Sequence, residues 1–251
     1  MPDLNLKRRL SETDLKCLYL ERLRRLGLIN AKSVIASEYS LGQTGRRVDL
    51  AILSSEFIGI EFKSKGDSLK RLKPQLDAYV RCFDRVVLVA DERHIANAQP
   101  LVPASVEVWS VNCEGELSLV QEALSERAQS ARALAQLCSV RQLRRLASVA
   151  ASSAPSRSRL IDAAMLLPFD KVYEAAVAAF KGTFERSSAA FWNELESQKE
   201  IGREALAPLS RFADVRQKKI SALREQSEFW LAWAEEAATI LGATSHTPIT
   251  G

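Results

Sequence analysis

Hydrophobic and polar positions change period several times along the chain, and each change marks an element. Residues 12–26 place Leu15, Leu18, Tyr19, Leu23 and Leu26 at helical spacing behind Ser11, a natural N-cap, and Gly27 closes the helix. The apolar run Ser33–Ser37 reads as a strand ending at Glu38. After a Gly42-Gln43-Thr44-Gly45 loop, Arg46–Leu53 and Phe57–Lys63 both alternate with period two, and polar Ser54-Ser55-Glu56 lies between them. That pattern predicts a β-hairpin with Val48, Leu50 and Ile52 on one face of its first strand and Arg47, Asp49 and Ala51 on the other. In the second strand Ile58, Ile60 and Phe62 share a face, opposite Gly59, Glu61 and Lys63. A helix with the stripe Leu72, Leu76, Val80 and Phe83 follows, then a strand at 85–90, a short helix at 92–98 and a strand at 105–111. The predicted order is αβββαβ with further α and β, a mixed α/β sheet flanked by helices.

From about residue 119 the chain becomes alanine-rich and helical in period. Leu134, Leu137, Leu143 and Leu146 mark one or two helices within 124–149, and Ser152-Ser153-Ala154-Pro155-Ser156 is a linker signal. Residues 158–166 and 171–184 read as short helices around Pro168, and 186–241 as helices carrying Phe191, Trp192, Leu195, Phe212, Phe229, Trp230 and Trp233. The expected organisation is an α/β domain over 1–120, an all-α region over 121–241 and a frayed tail at 242–251. The helical region has no catalytic constellation of its own. It is a candidate clamp on DNA, or a surface for a protein partner or a second copy of the chain.

Centring the hairpin turn on Ser55 sets Asp49 opposite Glu61 and Arg47 opposite Lys63. Directly opposed residues have Cβ atoms about 4.5–5.5 Å apart, close enough for two carboxylates to share a cation. Like charges so placed are unfavourable unless something compensates them, and Mg²⁺ or Mn²⁺ would do so. With Lys63 beside the pair to orient a water, the set is equipment for metal-assisted phosphodiester hydrolysis. Lys65, Lys70, Arg71 and Lys73 crowd the following segment, offset only by Asp67, and read either as a phosphate-binding patch or as a solvated face; Arg47 is a further candidate contact for nucleic acid. Gln75 and Tyr79, four apart, share a helix face. Tyr79 is equally readable as cover for the core, and His94 as a packing residue.

The arrangement Asp49…Glu61-Phe62-Lys63 resembles the PD-(D/E)XK nuclease superfamily. The longer run Gly59–Ser64, Asp67–Leu72, Gln75, Tyr79, Phe83-Asp84-Arg85 and Arg93-His94 is similar to a bacterial and phage group within it, over residues 33–95. That resemblance implies a restriction-endonuclease-like fold and a metal-dependent nuclease acting on DNA. It implies Asp49 and Glu61 as metal ligands and Lys63 as the residue that positions or activates water. Gln75 and Tyr79 match a QxxxY element that contacts the substrate backbone or the catalytic groups. Glu38 precedes Asp49 by the spacing the group shows and ranks first as an additional acidic ligand. Glu12 and Glu21, on the first helix, are the alternatives. Val48 stands where the nominal proline would be.

Composition sets the remaining bounds. The 251 residues are 47% hydrophobic and 26% charged, as in an ordinary globular protein. The net charge of +4 is shared evenly by the two halves, so attraction for DNA must come from local patches. No apolar run approaches the length of a membrane span, and the N-terminal MPDLNLKRRLSETD has no apolar signal core. Cys17, Cys82, Cys113 and Cys138 have no metal-ligand spacing and read as reduced core residues, so a cytoplasmic protein is expected.

Overall fold

The fold is drawn from a computed structural model that describes residues 9–124, 129–148, 155–196, 198, 200–209 and the isolated positions 226, 230 and 233. Helix α1 (Glu12–Arg25) starts on a reciprocal capping box. The Ser11 hydroxyl accepts from the Asp14 amide, and the Asp14 carboxylate accepts from the Ser11 amide at 2.8 Å. Arg203 grips the same carboxylate at 2.6–2.7 Å, tying the helix start to a segment far along the chain. Gly27, at φ +69°, supplies the left-handed turn that ends the helix.

Strands β1 (Val34–Ser40), β2 (Arg47–Leu53) and β3 (Phe57–Lys63) form an antiparallel meander. The hairpin has the expected register: Leu50 pairs with Ile60, Ile52 with Ile58 and Leu53 with Phe57. Helix α2 (Leu72–Tyr79) carries the chain to β4 (Arg85–Asp91), and α3 (Glu92–Ala98) carries it to β5 (Val106–Val111). These connections make β3, β4 and β5 parallel neighbours, so the centre of the sheet is buried on both faces. Strand β6 (Leu117–Gln121) adds antiparallel to β5, completing a six-stranded mixed sheet in sequential order. The helical period read from residue 119 therefore begins too early. Leu119 and Val120 belong to an edge strand and are substantially exposed.

Two cores sandwich the sheet. One packs Leu15, Tyr19 and Leu23 of α1 against Ile35, Leu50, Ile52, Ile60 and Phe62. The other packs Leu72, Leu76 and Tyr79 of α2 with Phe57, Phe83, Val86 and Leu88. Gly59 is required here, since a Cβ on it would lie 2.5 Å from the Phe83 ring. The expected faces fail at one point. Val48 and Tyr39 pack in the α2 core, although simple alternation would send each to the α1 core with Leu50 and Ile35. Alternation slips in both strands at the facing residues Glu38 and Asp49, and Glu38 has φ +56°, uncommon for a non-glycine residue. Glu38 also lies inside β1, rather than at its end.

Helices α4 (Ala131–Leu137), α5 (Val140–Leu146) and α6 (Arg157–Ala164) gather around the first half of α7 (Phe169–Glu196) in a third core. The segment read as a helix at 171–184 and the first part of the helical stretch read over 186–241 are one helix of 28 residues, about 42 Å long. Its length is put to use. Phe180 and Phe184 enter the α2 core, while Phe191, Trp192 and Leu195 enter the α1 core. Between them it crosses the edge of β1: the Ser188 hydroxyl accepts from the Ile35 amide at 2.8 Å and donates to the Ile35 carbonyl at 3.0 Å. Trp192 donates to the Ser33 carbonyl at 2.9 Å. The helix thus closes an edge that would otherwise be open to another strand.

The change of character near residue 120 is a change of secondary structure within one compact unit, which runs from Met1 to Arg211. A second unit spans Phe212–Gly251, where Trp230 and Trp233 pack edge to face and are both half exposed. Most of the linker at 152–156, the tail at 242–251 and the helices read beyond 209 lie outside the described residues. Among the described residues, no helix is long and apolar enough to cross a membrane. The four cysteines are unbridged.

Candidate active site

The expected residues converge where β2 and β3 part company. Beyond the Leu50–Ile60 pair the ladder opens, and the Phe62 amide donates to the Asp49 carboxylate at 2.8 Å. A side chain has taken over the acceptor position of a ladder carbonyl, which fixes Asp49 against β3. Glu61 and Lys63, two residues apart on β3, turn toward α2 and meet at 2.5 Å. Both are buried, Glu61 completely. Tyr79 donates to the other Glu61 oxygen at 2.6 Å and lies 2.7 Å from the Arg47 backbone carbonyl, while Lys63 donates to the Gln75 side-chain oxygen at 3.3 Å. The four-residue spacing of Gln75 and Tyr79 is therefore what lets one helix face hold both ends of the Glu61–Lys63 pair. Burial, reinforced by the charge of Glu61, pushes the Tyr79 hydroxyl far above its ordinary pKa, so it acts as a donor throughout the accessible range.

A second group of charges forms the mouth. Carboxylate oxygens of Glu12 on α1, Glu38 on β1 and Asp49 on β2 all lie within 4.8 Å of one another, and all three residues are partly exposed. The left-handed backbone at Glu38 occurs at the slip that reorients both strands, a form of strain that concentrates at functional positions. Burial, and after it the charge of Glu61, raises the Asp49 carboxyl to about 8, against the pull of the Phe62 amide. The choice left between Glu12 and Glu38 dissolves, since both join Asp49. Glu61 is outside this trio, with both its oxygens taken by Lys63 and Tyr79. Glu21 is also elsewhere, held by Arg24 and Arg25.

Lys16 is the member that sequence reasoning missed. It is buried, meets Glu12 at 2.6 Å and Glu38 at 3.3 Å, and also reaches Ser37. Burial alone would lower its pKa, but Glu12, Asp49 and Glu38 outweigh that and hold it above the usual lysine range. Its signal was a lysine four residues after Glu12 and next to Leu15 in the same helix.

Glu12, Glu38 and Asp49 stand in a polar cleft of about 450 Å³ whose remaining wall is Gly45, Arg46, Arg47, Arg71, Pro74 and Gln75. Among the described residues, no carboxylate is ion-paired with Arg46, Arg47 or Arg71. The candidate phosphate contacts thus divide. Arg47 and Arg71 line the cleft. Lys65 borders a separate hollow beside Arg9 and Arg93, Lys73 pairs with Asp77 at 3.6 Å, and Lys70 is exposed and outside the cleft lining. His94 lies 2.9 Å from the Ser64 carbonyl through Nε2, bracing the loop that follows Lys63 from outside the cleft.

The arrangement combines an oxygen-rich, electron-dense mouth suited to a hard cation, arginines placed for anionic oxygens, and a lysine held from behind. Comparison with known proteins adds a relationship. No solved structure matches this chain. Protein cII of Enterobacteria phage P4 is 26% identical over 208 residues, covering 80% of this chain and 78% of that protein. The family described as Bacteriophage P4 protein cII matches residues 6–210, nearly the whole of the compact unit. The chain belongs to the bacteriophage P4 protein cII family.

Proposed function

We propose that the protein is a divalent-metal-dependent nuclease that hydrolyses DNA phosphodiester bonds on a restriction-endonuclease-like sheet. The observation that carries the reading is the pairing of two charge clusters across the opening of β2 and β3: Asp49 with Glu12 and Glu38 in front, Glu61 with Lys63 behind. The donor set fits Mg²⁺ or Mn²⁺, because it is made only of carboxylate oxygens, from three residues against the single Lys16 ammonium. Glu12, Glu38 and Asp49 would hold the ion, which when bound would polarise the phosphodiester and increase the acidity of a nearby water.

The chain's own groups supply the rest. An ammonium has three protons to donate. Two of those on Lys63 go to Glu61 and Gln75, leaving the third for a water. Tyr79, held in the α2 core, donates to Glu61 and so helps to fix the Lys63 ammonium. Arg46, Arg47 and Arg71 position phosphates without reading sequence. A second reading, a nuclease-fold module that binds DNA without cutting it, has one observation in its favour: Lys16 already places a cation against Glu12 and Glu38.

One assay decides between them. Linear, circular and single-stranded DNA are incubated with the protein in Mg²⁺, Mn²⁺ or EDTA, alongside Asp49→Asn. Metal-dependent cutting that the substitution lowers by more than about a hundredfold supports the nuclease. DNA binding with no cutting in any metal supports the binding module.

A further inference from the structure

We propose that the nucleic-acid track extends well beyond the acidic cleft, along the Gly42–Gly45 loop, to an arginine-rich surface on α5 and α6 that grips the phosphate backbone of duplex DNA. This rests on the nuclease-fold reading of the cleft for its choice of DNA, but on different residues. Between residues 129 and 164 the sequence holds six arginines (Arg132, Arg141, Arg144, Arg145, Arg157 and Arg159), no lysine and a single acid, Asp162. Asp162 is bound to Arg132 at 2.6 Å. Arg141, Arg145 and Arg159 are exposed and, among the described residues, paired with no carboxylate. The Nε atoms of Arg144 and Arg157 are buried without an acceptor. Against a chain with net charge of only +4, this is a concentrated positive patch on a lobe with no catalytic groups.

Two further hollows lead from the cleft toward the helices that carry that patch. The acidic cleft shares Arg46 and Pro74 with a second hollow of about 280 Å³, which runs beside Arg81 to Gln136 on α4. Gln136 is shared in turn with a third hollow of about 390 Å³, lined also by Ser139 and Gln142 in the first turn of α5 and by Arg157 at the start of α6. Gly42 is the pinch point. A Cβ on it would lie 2.3 Å from the Gln136 carbonyl, so the loop and α4 are in close contact and hold the two ends of the track in fixed relation. Arginine throughout suits this role, because its planar fork engages phosphate oxygens in pairs.

The surface is tested by anisotropy of a labelled DNA duplex in EDTA, where no cutting occurs, over a sodium chloride series. The wild type is compared with the triple variant Arg141→Ala, Arg145→Ala, Arg159→Ala and with the corresponding triple to Lys. Each phosphate contact contributes about 0.9 to the slope of log affinity against log salt, so the alanine triple should lose about 3 from the slope and at least about tenfold in affinity at moderate salt. The lysine triple, which keeps the charge and guards against misfolding, should retain most of the slope. Equal binding by wild type and alanine triple, or no salt-dependent duplex binding by the wild type, overturns the proposal. The nuclease reading stands or falls separately, on metal-dependent cutting and its loss in Asp49→Asn.

Discussion

The Glu61–Lys63–Tyr79 knot and the Glu12–Glu38–Asp49 mouth are built on neighbouring strands of one sheet, yet they solve the problem of charge in opposite ways. In the knot, one cation meets one anion, each Glu61 oxygen has its own donor, and both charged residues are buried beside α2. In the mouth, one ammonium serves Glu12 at 2.6 Å and Glu38 at 3.3 Å, the backbone is left-handed at Glu38, and burial with the nearby charge of Glu61 lifts Asp49. A buried ion pair with its hydrogen bonds complete resists rearrangement, whereas an open, over-charged cluster gains by taking up a cation. The knot is thus the frame and the mouth the working face. Breaking the first should cost stability, while changing the second should alter ligand response more than stability.

Glu61→Ala gives the largest expected effect. It leaves the Lys63 ammonium buried without its anion, and such removals cost about 3–5 kcal/mol. Chemical denaturation should register that loss whether or not metal is present. A loss below about 1 kcal/mol would mean the pair is not buried as described. Tyr79→Phe comes next. It keeps the ring in the α2 core but removes the donor to Glu61 and the contact with the Arg47 carbonyl, for a loss of about 1–3 kcal/mol. Cutting should fall along with stability, since the same hydroxyl fixes the Lys63 ammonium through Glu61.

The frame was far more legible in sequence than the mouth, for a physical reason. Period-two alternation and a short polar turn fix a hairpin's register, so the pairing of β2 with β3 and the shared face of Glu61 and Lys63 could be read directly. Gln75 and Tyr79 followed from helical spacing. The mouth depends on what alternation cannot express: the slip at Glu38 and Asp49, and the approach of α1, which brings Glu12 and Lys16 from a separate element. The same holds for α7. Ser188 and Trp192 sit on an apolar helical stripe, and nothing local says that they close the edge of β1 about 150 residues earlier. Strand β6 was hidden because its exposed Leu119 and Val120 lead into an alanine-rich stretch.

The last effect is the one that speaks most directly to the mouth. Asp49 has an ordinary carboxyl pKa near 3.8 that the fold raises to about 8, so between those values the folded protein holds a proton the unfolded chain has released. Stability present below about pH 4 is therefore lost as pH rises toward 8, with a slope of at most about 1.4 kcal/mol per pH unit for this one proton. Asp49→Asn cannot release that proton, so its metal-free stability should vary less with pH over the window and exceed the wild type's most at the upper end. If the mouth takes up metal as proposed, Mn²⁺ would bind the ionised carboxylate and should restore wild-type stability most strongly near pH 8, with little effect on the variant. Thermal melts at pH 5, 6.5 and 8, with and without Mn²⁺, measure all of this. A wild-type stability that rises from pH 5 to 8 without metal, in parallel with the variant's, would show that Asp49 is already neutralised by Lys16. The mouth would then be a second closed cluster, and the contrast with the knot would disappear.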